Sequence, residues 1–202
     1  MRQAAAALVA AAAFSFGPAA AQSIVRPDAQ DLAREAQKDR ETLATLDFGE
    51  AVRIRQANGH AFLALWLAAE RPRGVAIIAH GRGWSPNHDL YNDLRVRLAD
   101  AGWSTLAIQL PVLDPSASKL GDYLWTYPDA VERFRLAVDW AKAKSPGPLA
   151  VVSHSLGATM ANQYLIRTDD GKVGAWVFLS IINGLEDMFR LRIPVLDVYG
   201  EQ

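Results

Sequence analysis

The sequence predicts an α/β fold in which a mostly parallel sheet carries helices on both faces and an antiparallel hairpin at its N-terminal edge. After residue 74, five short and almost unbroken apolar runs alternate with amphipathic helical patterns. Parallel strands covered on both faces have such runs, and strand-helix alternation implies right-handed crossovers. Before residue 74, two strand-like segments meet at Asn58-Gly59, which is typical of a two-residue hairpin turn.

The first predicted element is a charged amphipathic helix over residues 32–46, in which Leu32, Ala36, Leu43 and Leu46 fall near helical spacing. The hairpin strands are expected at residues 51–57 and 60–68. The five apolar strands are expected at residues 75–79, 105–110, 149–152, 173–179 and 193–198. The helices between them are expected at residues 88–101, 129–144, 155–168 and 185–191.

The longest irregular segment covers residues 111–128 and carries Tyr123, Trp125 and Tyr127 in its second half. A connection of this length is typically a lid or a binding loop. Its aromatic side chains would bias a site beneath it toward apolar or aromatic groups.

The composition indicates one globular domain, because 50% of the 202 residues are hydrophobic and 21% are charged. The formal net charge is -1, so there is no basic excess for a phosphate backbone, and nucleic acid is not expected as a partner. The chain has no cysteine, which excludes disulfides, thiolate metal sites and cysteine nucleophiles. Any covalent chemistry must therefore start from an oxygen or a nitrogen atom.

The N-terminus has the pattern of a secretory signal peptide over residues 1–21. Arg2 gives a positive start, residues 4–16 are an apolar run with one serine, and three alanines precede Gln22. The run is shorter than the roughly 20 residues that span a bilayer, so a stable membrane anchor is not expected. We expect cleavage after Ala21, a single domain over residues 22–202, and a periplasmic or secreted protein.

The strongest chemical pattern is Ser-His-Ser-Leu-Gly at residues 153–157, between an apolar strand and a helix. Small residues two before and two after a central serine have the spacing of a nucleophile elbow, where the serine occupies a strained turn at the carboxyl end of the sheet. Ser155 is therefore the candidate nucleophile, and a serine that caps a buried helix is the alternative. His154 is expected to pack under the turn, because a residue adjacent to the nucleophile points away from it.

A second pattern, His-Gly-Arg-Gly-Trp at residues 80–84, directly follows the third predicted strand. Glycine lets backbone N–H groups turn inward, so the amides of Arg82 and Leu156 are predicted to form an oxyanion hole. Gly81 and Trp84 are the candidate substrate-binding residues, and the alternative for Trp84 is that it shapes the loop. A plain glycine turn at the end of a strand is the alternative for the whole segment.

These segments together resemble the α/β-hydrolase superfamily, from residues 80–81 through the turn at Ser155 to the strand at 193–200. Residues 86–88, 98–106 and 109–111 more narrowly resemble a bacterial group known only as a domain of unknown function. The resemblance implies hydrolysis of a small-molecule ester, thioester or amide through an acyl-enzyme on Ser155. It also implies that no metal and no organic cofactor takes part.

The superfamily pattern places an acid after the seventh strand and a histidine after the eighth. The histidines of this sequence are His60, His80, His88 and His154. None of them follows Ser155, and the strand that ends at residues 199–202 resembles segments that an aspartate follows. The resemblance therefore predicts that the acid, the base, the last strand and the last helix lie beyond Gln202, and Asp187 and Asp197 are the alternatives for the acid. This chain by itself would then be nearly inactive. The alternative is a non-catalytic exported binding protein on a hydrolase scaffold.

Overall fold

The computed structural model describes residues 28–145, 147–168, 170–181, 185 and 187–200, with side chains from residue 32 onward. The predicted signal peptide lies outside the described residues, so its cleavage stays a prediction.

One seven-stranded sheet forms the centre of the fold. In chain order, its strands are β1 (Glu50–Arg55), β2 (Ala61–Leu67), β3 (Gly74–Ala79), β4 (Trp103–Ile108), β5 (Leu149–His154), β6 (Ala175–Leu179) and β7 (Val195–Val198). Their order across the sheet is β1-β2-β4-β3-β5-β6-β7. Strand β2 is antiparallel to β1 and β4, and the other pairs are parallel. The predicted mostly parallel sheet with an antiparallel hairpin is therefore confirmed.

Helices cover both faces of the sheet, as predicted. The α-helices of the described ranges are α1 (Asp28–Ala44), α2 (Asp89–Asp100), α3 (Tyr127–Lys144) and α4 (Leu156–Arg167). Helix α2 packs on one face through Tyr91, and α3 and α4 pack on the other face through side chains such as Phe134 and Tyr164. On this second face, Trp66 of β2 meets Trp140 of α3 edge to face, with ring centroids 5.2 Å apart.

The irregular segment at 111–128 is partly helical. A 3-10 helix occupies Leu120–Thr126, and α3 begins directly after it at Tyr127. The start of α3 precedes the predicted start by two residues because Pro128 lies in its first turn. Proline fits there, since the first-turn N–H groups of a helix have no partner within the helix.

Helix α1 confirms the predicted helix, but its buried face is not the predicted apolar one. Leu32 and Leu43 are 43% and 40% exposed, whereas Glu35, Asp39 and Thr42 are buried. Leu32 and Leu43 of the expected stripe therefore lie toward solvent, Leu46 beyond the helix end packs on the core, and the helix itself packs through polar side chains. Such packing requires that each buried carboxylate has a partner from elsewhere in the chain.

The partner of Glu35 is Arg133 of α3, which is also buried. The guanidinium donates a hydrogen bond to each carboxylate oxygen of Glu35 at 3.0 Å, and His60 Nε2 contacts the same carboxylate at 2.9 Å. Burial raises the pKa of Glu35, but the hydrogen bond from His60 and the charge of Arg133 outweigh it and hold the pKa below its ordinary value. This pairing joins α1, α3 and the hairpin.

Candidate active site

The turn after β5 has the backbone conformation expected of a nucleophile elbow. Ser155 lies between the last residue of β5 and the first residue of α4, with a φ of 52° and a ψ of -122°. L-residues rarely adopt this conformation, and it persists only where the surrounding fold imposes it. The Ser155 side chain forms no capping hydrogen bond with α4, which argues against the helix-cap alternative.

Gly157 allows this turn to lie close to β3. A Cβ atom at position 157 would be 2.4 Å from the carbonyl oxygen of His80 and 2.8 Å from that of Ala79. Two residues before the nucleophile, Ser153 is buried, and its Oγ accepts a hydrogen bond from the Trp176 indole at 2.8 Å. Glycine is thus required at 157 for space, while Ser153 contributes its hydroxyl to the core.

A cavity of about 190 Å³ opens beside Ser155, and we call it the Ser155 cavity. It is lined by Arg82, Ser118, Leu120, Ser155, Leu156, Thr159 and Ile181. The structure therefore brings together the candidate nucleophile and both residues whose amides were predicted to form the oxyanion hole. Gly81 and Trp84, the predicted substrate-binding residues, do not line this cavity.

The backbone amides of Arg82 and Leu156 are suited to bind an anion. Leu156 is the first residue of α4, where the N–H has no partner within the helix and the helix dipole favours negative charge. The Arg82 amide donates no hydrogen bond to a described backbone carbonyl. The Gly81 amide differs, because it donates to the Tyr91 hydroxyl at 2.7 Å. Gly81 therefore has a structural role, and its predicted substrate contact stays a prediction.

His80 fixes the loop that carries Arg82. Its ring is buried, and Nδ1–H donates to the Gly81 carbonyl at 2.7 Å. Its Nε2 accepts hydrogen bonds from the Leu110 amide and the Gln109 side chain, each at 3.0 Å. Burial lowers the pKa of His80 to about 4, so the ring is neutral at pH 7. A neutral imidazole thus ties the end of β3 to the segment after β4.

His154 and Trp84 belong to an aromatic cluster beside the elbow. The Tyr91 hydroxyl lies 2.8 Å from His154 Nδ1, and burial lowers the pKa of this histidine. The Trp84 ring stacks on His88 with centroids 4.2 Å apart and lies 5.7 Å from His154. These contacts agree with the expected packing role of His154. They also favour the interpretation in which Trp84 shapes the loop, and its substrate contact stays a prediction.

Among the described residues that line the Ser155 cavity there is no general base, since none of them is a histidine, an aspartate or a glutamate. Within the described residues, no group of three or more such side chains or cysteines is arranged to hold a metal ion. In the same ranges, no helix combines the length and the apolar character needed to cross a bilayer. The cavity therefore combines the hydroxyls of Ser118, Ser155 and Thr159 with two amide donors, and only Ser155 lies on the strained turn.

Two features of this cavity could not be predicted from the sequence. Ser118 and Leu120, from the irregular segment, form part of its wall. The Arg82 guanidinium donates to the carbonyls of Ala117, at 3.2 Å, and of Ser118, and so ties the loop at 80–84 to that segment. The length of the segment indicated a covering loop, but no pattern specified which of its residues face Ser155.

Residues 2–122, more than half of the chain, match the sequence profile of a family described as "Protein of unknown function (DUF3530)". No curated protein matches the chain.

Solved structures are similar in fold. An a/b serine hydrolase without lid from Xanthomonas campestris has 15% identity and a TM-score of 0.58, with 77% of this chain and 72% of that chain covered. A serine hydrolase homologue from Coxiella burnetii has 16% identity and a TM-score of 0.61, with 78% of this chain and 76% of that chain covered. A cold-adapted esterase from an Arctic intertidal metagenomic library has 13% identity and a TM-score of 0.59, with 75% of this chain and 70% of that chain covered. At these identities the similarity shows the fold, and it confirms the predicted α/β-hydrolase-like fold.

Proposed function

The chain belongs to the family described as protein of unknown function (DUF3530), and for this member we propose a serine hydrolase that acts through an acyl-enzyme on Ser155. The observation that carries the proposal is the Ser155 cavity, in which a serine with a φ of 52° lies beside two residues with available amides. A strained residue at the mouth of a cavity is a common property of catalytic turns. Serine hydrolases and esterases among the structural neighbours support the proposal.

In the proposed reaction, a base takes the Ser155 hydroxyl proton while Oγ attacks the carbonyl carbon of the substrate. The carbonyl oxygen becomes an anion, and the amides of Arg82 and Leu156 donate hydrogen bonds to it. When the tetrahedral intermediate collapses, the alcohol, thiol or amine leaves with the proton held by the base. Water then attacks the acyl-serine in the same way, which releases a carboxylic acid and restores the hydroxyl.

The walls of the cavity favour a small and uncharged acyl group. Leu120, Leu156 and Ile181 give it an apolar surface, and its volume is about 190 Å³. The Arg82 guanidinium, the one cationic group among the described lining residues, already donates to two backbone carbonyls. A charged acyl group would therefore lose hydration without gaining a matching counter-charge. We propose a short apolar acyl chain as the preferred substrate group.

The acid and the base of the reaction stay predictions. The expectation from the superfamily pattern is that both lie beyond Gln202, with an aspartate immediately after it and a histidine several dozen residues later. The coding DNA that follows the codon of Gln202 tests this expectation directly. An open reading frame that supplies neither residue would contradict it and would favour the binding-protein candidate.

A fluorophosphonate tests the proposed nucleophile on protein produced from the complete gene. We expect one covalent adduct, located by mass spectrometry on the peptide that contains Ser155. The Ser155→Ala variant should lose this adduct, because no other group in the cavity is proposed to be activated. Ser118→Ala is the matched control, since Ser118 is a serine of the same cavity, and this variant should keep the adduct. An adduct that survives in folded Ser155→Ala protein, or no adduct in folded wild type, contradicts the proposal.

One observation favours the second candidate, a non-catalytic exported binding protein. None of the residues lining the Ser155 cavity is a histidine or a carboxylate, so the described site lacks proton-transfer chemistry. This candidate predicts that short p-nitrophenyl esters bind equally well to wild type and to Ser155→Ala and that neither protein hydrolyses them. Hydrolysis by wild type that disappears in Ser155→Ala would exclude it.

We also propose export to the periplasm or the medium, on the signal-peptide pattern of residues 1–21. The test is N-terminal sequencing of the protein recovered from the periplasmic and extracellular fractions of its own host. A mature chain that starts at Gln22 is the expected result. An unprocessed chain that begins at Met1 and stays in the cytoplasmic fraction would contradict this proposal.

A further inference from the structure

A second cavity, of about 340 Å³, lies at the same edge of the sheet on the side of the hairpin, and we call it the hairpin cavity. Ala64 of β2 pairs with Ile108 at the end of β4, so the β1-β2 turn and the segment after β4 lie next to each other. The walls also include residues of α1, the 3-10 helix and α3. The hairpin cavity shares no lining residue with the Ser155 cavity.

The charged side chains in the wall of the hairpin cavity are already paired with one another. Arg133 donates to both oxygens of Glu35 at 3.0 Å and contacts Asp129 Oδ2 at 3.0 Å. The other Asp129 oxygen accepts a hydrogen bond from Gln56. An anionic ligand would therefore meet no free cation among the described lining residues, and a cationic ligand would have to compete with Arg133, His60 and Gln56 for carboxylates that already accept hydrogen bonds. Transfer of an unpaired ion from water into such a site is strongly unfavourable.

The remaining wall of the hairpin cavity is mainly apolar. Val112 and Leu113 are buried, while Leu32 and Trp125 are 43% and 50% exposed. Large apolar side chains that are half exposed beside a cavity leave apolar surface in contact with water, and a ligand that covers this surface gains from the hydrophobic effect. The volume also lies in the range of small-molecule sites.

We propose that the hairpin cavity is a second binding site, for a neutral apolar molecule of about the size of two fused rings. Because Glu35, Asp129 and Arg133 already have hydrogen-bond or ion-pair partners, an ion would gain less at this site than a neutral molecule, and Trp125 and Leu32 contact the apolar body of the ligand. At the polar end of the cavity, Asn58 or the ring of His60 can form a hydrogen bond with one hydroxyl. The proposal does not depend on hydrolysis at Ser155.

A charge series on one ring system tests the ligand class. The probes are 2-naphthylmethanol, 2-naphthoate and 2-naphthylmethylammonium, titrated into the full chain by calorimetry at neutral pH. We expect the neutral alcohol to bind at least tenfold more tightly than either ion. Equal or tighter binding of the anion or the cation would overturn the proposal, and so would the absence of binding by the alcohol up to its solubility limit.

Matched variants test the location. Leu32→Trp would place an indole in the hairpin cavity and should weaken 2-naphthylmethanol binding at least tenfold. Leu43→Trp is the control, because Leu43 is on the same helix, is 40% exposed and does not line the cavity. This variant should bind as wild type does. Equal binding by Leu32→Trp and wild type, or equal loss in both variants, would overturn the assignment to this cavity.

A third variant separates the two cavities. Ser118 is exposed and lines only the Ser155 cavity, so Ser118→Trp should obstruct that cavity and leave 2-naphthylmethanol binding unchanged. Loss of binding in Ser118→Trp would show that the alcohol enters the Ser155 cavity and would overturn the proposal. Failure of fluorophosphonate labelling at Ser155 would leave this result unaffected, so the two proposals fail separately.

Discussion

The Ser155 cavity and the hairpin cavity lie at one edge of the same sheet but are built in opposite ways. The turn at Ser155 comes from residues adjacent in the chain and holds a strained backbone against β3 through a glycine. The hairpin cavity depends on side chains that are far apart, since Arg133 and Glu35 are separated by 98 positions. The first stores conformational strain, whereas the second depends on paired buried charges. One edge of a sheet can therefore carry two sites, one sensitive to changes in the backbone and the other to the loss of a charged partner.

The region around the hairpin cavity should be the most sensitive to a single substitution. Arg133→Met would leave the Glu35 carboxylate buried without its cationic partner, which typically costs about 3–5 kcal/mol of unfolding free energy. Chemical denaturation measures this loss. Arg135→Met is the control, because Arg135 is half exposed and its one ion pair among the described residues is with Asp139 on the same helix, so we expect a change within about 0.5 kcal/mol. Equal losses in the two variants would contradict the buried-pair account.

The loop beside Ser155 should make the unfolding free energy depend on pH, through the buried His80. The pKa of His80 is lowered to about 4 in the folded state, so the unfolded chain takes up a proton first as the pH falls below 6.5. Stability is therefore full above that pH and falls by about 3 kcal/mol between pH 6.5 and 4. Urea titrations across this window measure the slope of the unfolding free energy against pH. His80→Gln should flatten it, while His88→Gln should keep most of it. An unchanged slope in His80→Gln would contradict the assignment.

A smaller effect is expected from Gly157→Ala. The added Cβ would lie 2.4 Å from the His80 carbonyl oxygen, so the elbow or the end of β3 must move. We expect a loss of about 1–3 kcal/mol in unfolding free energy and weaker labelling of Ser155. Gly121→Ala is the control, since a Cβ there meets nothing within 4 Å. If Gly157→Ala is as stable as the control, the close approach does not constrain the turn.

Ser155→Gly is expected to give a small gain in stability. Glycine adopts positive φ at little cost, so Ser155→Gly should release part of the backbone strain and stabilise the fold by about 1 kcal/mol while removing the hydroxyl. Thermal unfolding monitors this change. Ser118→Gly is the control, because Ser118 is not among the positive-φ residues and should gain nothing. A Ser155→Gly variant less stable than its control would show that the turn is not strained.

The same contrast explains what the sequence could predict. The sheet, its hairpin and the turn at Ser155 come from local patterns, such as apolar runs, Asn58-Gly59 and the spacing of residues 153–157. The polar face of α1 could not be predicted, because burial of Glu35 depends on an arginine contributed by α3. For the same reason, no pattern placed Ser118 and Leu120 beside Ser155, since the fold of an irregular segment decides which of its residues face inward.

The edge-to-face pair of Trp66 and Trp140 gives the contact between β2 and α3 its own circular dichroism signal. Two indoles whose centroids lie 5.2 Å apart couple their electronic transitions, and such coupling produces an exciton couplet in circular dichroism. The couplet exists only while α3 is docked on β2, so it reports this docking and not the state of the Ser155 turn. Stopped-flow recording of the couplet during refolding would show when that half of the molecule assembles.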